Sequence, residues 1–197
     1  MTIRSLLYLI SLFFLVGCSS FSAKSPSAAA PVTQAKEWVF PMEFQKGSPF
    51  PEEFAQVHTQ DGCTLYVFSP REYGDLTLIT HFKPNYGKND FGGGLLFRYQ
   101  NPENYYCLRY NGNTNNLRFY KSIDGDRARF ANRTVRLKDK NEWHELKVIA
   151  RGDLLQAYVD NRLIFSREDE IIRDGKIGLW VRGENPKTEF ADLTIQP

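Results

Sequence analysis

The sequence is poor in the residue types on which most catalytic and metal chemistry is built. It has three histidines, His58, His81 and His144, far apart and without the spacing of metal ligands. His144 sits in an alternating segment beside Trp143, where a structural role is expected. There is no Gly-x-Ser-x-Gly segment, so Ser–His–Asp hydrolysis lacks its nucleophile turn. The run Gly92–Gly94 lacks the Lys and Ser/Thr that complete a phosphate loop, and it reads as a bend before a strand. An excess of one charge is also missing: 25 Lys+Arg stand against 23 Asp+Glu, a net charge of +2. That balance gives no bulk electrostatic argument for nucleic acid, which is not expected as a partner. Nothing in these patterns calls for a metal or a cofactor, and no catalytic residue is assigned. The longest apolar run, Leu6 to Val16, falls short of the roughly 20 residues that span a bilayer.

That run instead follows a single positive charge, Arg4, and ends in small residues, the layout of a secretory signal. The segment Leu15-Val16-Gly17-Cys18 resembles the lipobox of bacterial lipoproteins. The resemblance implies a signal peptide over 1–17, cleavage before Cys18, and acylation of that cysteine, including its palmitate-class chain. Several acyl chains anchor more firmly than the single chain that binds marginally. Ser19, where an inner-membrane lipoprotein often carries Asp, points by the same resemblance to the outer membrane. Membrane contact is thus expected through the lipid on Cys18 only. Residues 18–36 are rich in Ser, Ala and Pro and read as a flexible tether of about 25 Å. The remaining cysteines, Cys63 and Cys107, lie in a compartment that permits disulfides; pairing and two separate buried thiols are both open.

Residues 37–197 are long enough for one domain with a sizeable core, and they show no helical period. Short alternating segments recur from Gly74 onward, divided by turn signals at 101–104, Asp124-Gly125, Gly152-Asp153 and Asp160-Asn161. The pattern predicts an all-β sandwich or barrel with sheets wet on one face. The segments GGLLFRYQNPENYYCLRYN, NLRFYKSIDG, WHELKVIARGDLLQAYVDNRLIF, DGKIGLWVRG and FADLTI occur in that order. Together they resemble the concanavalin A-like, laminin-G-like jelly-roll domains of bacterial secreted proteins. That group includes domains similar to 3-keto-disaccharide hydrolases and family 16 glycoside hydrolases. The resemblance implies a two-sheet antiparallel jelly roll.

A sandwich glycosidase would need two carboxylates facing each other across a cleft. The nearest acidic run, Glu168-Asp169-Glu170, lacks the family 16 spacing and reads as a solvated turn. Glu189 and Asp192 are three apart, which places them on opposite faces of a regular strand. Alternation sorts the central segments more usefully. Leu95, Phe97 and Tyr99 form one set, with Leu96 and Arg98 opposite; Tyr106, Leu108 and Tyr110 oppose Tyr105, Cys107 and Arg109. If the apolar sets face the core, an outer face collects Arg98, Tyr105, Arg109, Arg118, Tyr120, Trp180 and Arg182. Aromatic rings stack on sugars, and arginine forks bind hydroxyls or carboxylates. The expectation is therefore a lipid-anchored, non-catalytic binding module of the envelope whose partner is a carbohydrate. A saccharide hydrolase and a subunit that binds an envelope protein are the alternatives.

Overall fold

The computed structural model describes residues 38–44, 54–59, 62–84, 92–182 and 188–196. The signal segment 1–17, Cys18 and the tether to residue 36 lie outside the described residues. Among the described residues the regular structure is all strand: β1 (Trp38–Phe44), β2 (Phe54–His58), β3 (Cys63–Tyr73), β4 (Leu76–Pro84), β5 (Gly92–Asn101), β6 (Asn104–Asn111), β7 (Asn116–Ile123), β8 (Asp126–Thr134), β9 (His144–Arg151), β10 (Leu154–Val159), β11 (Arg162–Glu168), β12 (Gly175–Arg182) and β13 (Thr188–Gln196). No helix among them is long and apolar enough to cross a membrane.

The strands form two antiparallel sheets. One has six strands in the order β1-β13-β4-β9-β10-β11, the other seven in the order β2-β3-β12-β5-β6-β7-β8. This is the expected jelly-roll sandwich. The two-residue turns stand where the sequence signalled them. Asp124 and Gly125 have φ of 49° and 82°, Asp160 and Asn161 of 48° and 59°, the left-handed values that twist a hairpin correctly.

The core lies between the sheets. The six-stranded sheet contributes Leu76, Leu78, Phe82, Leu146, Val148, Ala150, Phe190, Leu193 and Ile195, all fully buried. The seven-stranded sheet contributes Leu95, Phe97, Tyr106, Leu108, Leu117, Phe119, Ile177, Leu179 and Val181. Phe97 stacks on Tyr106 at 5.4 Å and Phe119 on Phe130 at 5.3 Å. Each such side chain is worth about 1.5–3 kcal/mol of burial. His144 faces inward, as a structural histidine: Nδ1 meets Asp160 Oδ2 at 2.8 Å and Nε2 meets the Asp139 carbonyl at 2.5 Å.

Two local irregularities overturn the simple alternation. In β13 the register shifts between Ala191 and Leu193, and Asp192 has a φ of 52°. The extra residue leaves Phe190 and Leu193 in the core and turns Asp192 to the outer side with Glu189, not opposite to it. In β5 the register shifts between Phe97 and Asn101, and Arg98 has a φ of 48°. Its consequence is larger, because it takes a candidate residue off the site.

Candidate functional site

Arg98 does not join the outer face. The bulge rotates it toward the six-stranded sheet, where it is 0% exposed. Its guanidinium donates to the Ile172 carbonyl at 2.9 Å and to the Gly152 carbonyl at 2.7 Å. Burial holds its pKa below the ordinary arginine value. Past the bulge the parity is inverted, so Tyr99, expected with Phe97 in the core, sits on the outer face with Leu96. Gly175 is what admits this bend: a Cβ there would fall 2.5 Å from the Arg98 carbonyl carbon and 2.6 Å from the Tyr99 oxygen.

The same loop is pinned a second time. Tyr106 Oη donates to Asp169 Oδ1 at 2.5 Å, Lys121 Nζ donates to Asp169 Oδ2 at 2.5 Å, and the Ile172 amide donates to Tyr106 Oη. Asp169 is therefore not a solvated turn residue; its side chain is 8% exposed. Burial pushes its carboxyl pKa up, but the Lys121, Tyr106 and Ile171 hydrogen bonds outweigh that, and the net shift is downward. Burial, followed by the bond to Asp169, raises the Tyr106 phenol well above its ordinary value. These groups fasten the segment between β11 and β12 to the seven-stranded sheet.

The other six candidates share the face of the seven-stranded sheet that points away from the core. Gly94 is opposite Trp180 on one side and Arg109 on the other, and Arg109 is opposite Arg118. A Cβ on Gly94 would lie 1.8 Å from the Leu108 oxygen, so the chain approaches β6 here in a way that only glycine permits. Arg109 lies 5.2 Å over the Trp180 ring. Arg118 donates to Asn132 Oδ1 and to the Tyr120 hydroxyl, at 3.2 and 3.1 Å. Arg182 donates to Cys63 Sγ at 3.5 Å.

Trp180 and Tyr105 are not available rings on this face: they are 0% and 1% exposed. They belong to a second apolar cluster with Leu65, Val67, Leu96, Tyr99 and Cys107. The indole supports the arginines above it, and its N–H has no hydrogen-bond partner among the described residues. Tyr120 is partly buried and packs at the cluster's margin.

Sequence reasoning missed Arg127, which organises the site. Its guanidinium lies 4.2 Å from the Tyr120 ring centre and 4.9 Å from that of Trp180, and it donates to Cys63 Sγ at 3.5 Å. Cation–π placement of this kind fixes the plane of the fork. The contacts also measure curvature. β8 is four strands from β12 in the sheet, which would be roughly 19 Å on a flat surface. Arg127 bridges that interval, so the face is a trough. The signal for it was the Asp124-Gly125 turn, whose register sets Ser122 opposite Arg127 and Tyr120 opposite Arg129.

Cys63 and Cys107 are both buried on this face, and neither is part of a disulfide. Burial pushes the Cys107 thiol up to about 12. At one end of the trough a cleft of about 470 Å³ opens between His58 and the β5–β6 and β7–β8 turns. Tyr105, Ser122 and Arg127 line it, with Glu103 as its carboxylate. Among the described residues no group of three or more His, Cys, Asp or Glu side chains is arranged to hold a metal ion.

No family model matches the chain. A levanase from Bacillus subtilis (strain 168) is 26% identical over 117 residues, which is 59% of this chain and 17% of the levanase. The chain thus corresponds to a small part of that relative. Among solved structures, the carbohydrate-binding module CBM66 from Bacillus subtilis matches with a TM-score of 0.63 at 23% identity, over 73% of this chain and 92% of the module. A Bacillus subtilis protein with a galectin-like fold matches with a TM-score of 0.56 at 15% identity, over 83% and 90% of the two chains. A Bacillus licheniformis β-glucanase matches with a TM-score of 0.53 at 14% identity, over 82% and 98%. At these identities the likeness is one of fold: a jelly roll shared by carbohydrate-binding modules and glycoside hydrolases.

Proposed function

We propose that this domain is a carbohydrate-binding module held on the bacterial envelope by lipid on Cys18. Its ligand docks in the trough of the seven-stranded sheet. The observation that carries this reading is the guanidinium of Arg127, fixed between Tyr120 and Trp180 at the mouth of the cleft. A donor fork held in one plane by rings beneath it loses little entropy when a sugar oxygen arrives. The fold shared with CBM66 and the partial match to a levanase support the same reading. The described lining of the cleft includes one carboxylate, Glu103, and binding needs no opposed pair.

The test is affinity electrophoresis or calorimetry of the full chain, in non-ionic detergent, against a panel of neutral and acidic polysaccharides that includes levan and β-glucan. Binding to at least one member, lost in Arg127→Ala, is expected. A panel with no binder, or binding unchanged in Arg127→Ala, would overturn the reading and favour a protein partner. The anchor is tested separately. Cys18→Ser is expected to move the protein from the membrane fraction to the soluble fraction; a variant that stays membrane-bound would refute lipidation as the tether.

A further inference from the structure

We infer that the trough is built for an anionic glycan, one bearing carboxylate or sulfate groups, with Arg118 and Arg129 among the residues that read its charge. This rests on the carbohydrate reading and narrows it. Among the described strand positions whose register places them on the trough face, Arg109, Arg118, Arg127, Arg129 and Arg182 stand with no Asp or Glu; Glu103, in the β5–β6 turn, lines the cleft at one end. The balanced charge of the whole chain conceals this segregation.

Two details make the arrangement more than a basic surface. Arg109 and Arg118 are directly opposite on neighbouring strands. Two guanidinium side chains therefore stand side by side on this face, Arg109 buried and Arg118 half-buried. The hydrogen-bond partners of Arg118, Asn132 Oδ1 and the Tyr120 hydroxyl, are neutral. Arg129, opposite Tyr120 on the edge strand, is exposed.

The chemistry of the donors points the same way. A guanidinium offers N–H groups and no acceptor. A neutral sugar presents hydroxyls that both donate and accept, and a site for it gains from acceptors among its own side chains. A row of forks gains most from a ligand rich in acceptors and charge, where each contact is charge-assisted and can be bidentate. Uronate carboxylates and sulfate esters share that chemistry.

The experiment measures binding of the full chain, in non-ionic detergent, to four matched polymers: polygalacturonate, its methyl ester, dextran sulfate and dextran. Polyglutamate serves as a polyanion without sugar. At least one charged glycan is expected to bind tenfold or more tightly than its neutral counterpart, and the two charged polymers separate carboxylate from sulfate recognition. Arg118→Gln and Arg129→Gln are each expected to weaken that binding about tenfold, the usual effect of losing a hydrogen bond to a charged group. Arg167→Gln, exposed on β11 of the other sheet, is expected to leave it unchanged. Because Arg129 is exposed, its variant reports on binding even if Arg118→Gln disturbs the fold. Equal or tighter binding of neutral polymers would overturn the anionic assignment and leave the carbohydrate reading standing. Equal binding of polyglutamate would overturn it as a nonspecific polyanion effect. No binding to any polymer, charged or neutral, would overturn both.

Discussion

The bridge from Tyr106 through Asp169 to Lys121 yields a quantitative prediction. The Asp169 side chain is 8% exposed and that of Lys121 22%, so their interaction is only partly screened. Asp169→Asn keeps an oxygen for the Tyr106 hydroxyl but removes the charge that Lys121 faces. A hydrogen bond to a charged group contributes about 1.5–3 kcal/mol, so a loss of about 2 kcal/mol is expected. Tyr106→Phe removes the donor to Asp169 and leaves the Ile172 amide without its acceptor, for a similar loss of about 2 kcal/mol. For a domain of this size each kcal/mol lowers Tm by about 2–4 °C, so each single variant should melt about 4–8 °C lower. Asp169→Asn leaves the Tyr106 bond in place but without charge assistance, and Tyr106→Phe removes it in either background, so the double variant should lose less than the sum, by about 1 kcal/mol. Urea unfolding followed by tryptophan fluorescence gives all four corners of the cycle. A coupling energy within about 0.5 kcal/mol of zero, the range found for independent sites, would show that the bridge does not form in solution. The pH dependence has a definite sign. Folding lowers the Asp169 pKa, so its stabilisation is fully present above the unfolded carboxylate value of about 3.9 and is lost as pH falls through the lower folded value. The stability difference between wild type and Asp169→Asn should shrink across that acid window and stay constant between pH 5 and 8.

Arg98→Ala leaves the Ile172 and Gly152 carbonyls without their donor and should cost about 2–5 kcal/mol by urea unfolding; a loss below about 1 kcal/mol would contradict these two hydrogen bonds. Gly94→Ala places a methyl against the Leu108 oxygen and should cost about 1–3 kcal/mol or more, whereas Gly152→Ala meets no atom within 4 Å and should be much milder, the positive φ of 52° being its main penalty. Cys107, with its thiol pushed up to about 12, should resist iodoacetamide at pH 8 in the native state and react fully in denaturant, as read by intact mass. Rapid native alkylation would mean that the base of the trough is open.

How far the sequence revealed this molecule depended on whether a segment kept its period. β4, β9 and β10 alternate without interruption, so their strand character was legible in the sequence, and their inward residues, such as Leu76, Leu146 and Leu155, recur at every second position. β3 was not anticipated. From Cys63 to Phe68 it is buried on both faces, with Tyr66 and Phe68 in the main core and Cys63, Leu65 and Val67 under the trough, so it has no polar period to read. The site was legible to the same extent. Tyr105, Arg109, Arg118, Tyr120, Trp180 and Arg182 lie on regular stretches and share a face. Arg98 lies at a bulge, which one strand's sequence does not announce, because the extra residue is defined by the partner strand.

The position of Trp180 changes what should be sought in a ligand. An exposed tryptophan would stack on the apolar face of a pyranose and favour neutral sugars of suitable stereochemistry. A tryptophan buried beneath Arg109 and Arg127 makes no such contact. Its negative ring face stabilises two cations and orients their forks toward the trough. Selectivity would then come from charge and hydrogen-bond geometry instead of stacking. Ligand binding should leave the Trp180 emission nearly unchanged and should weaken as salt rises. A strong quench on binding that persists at high salt would instead place a sugar directly on the indole.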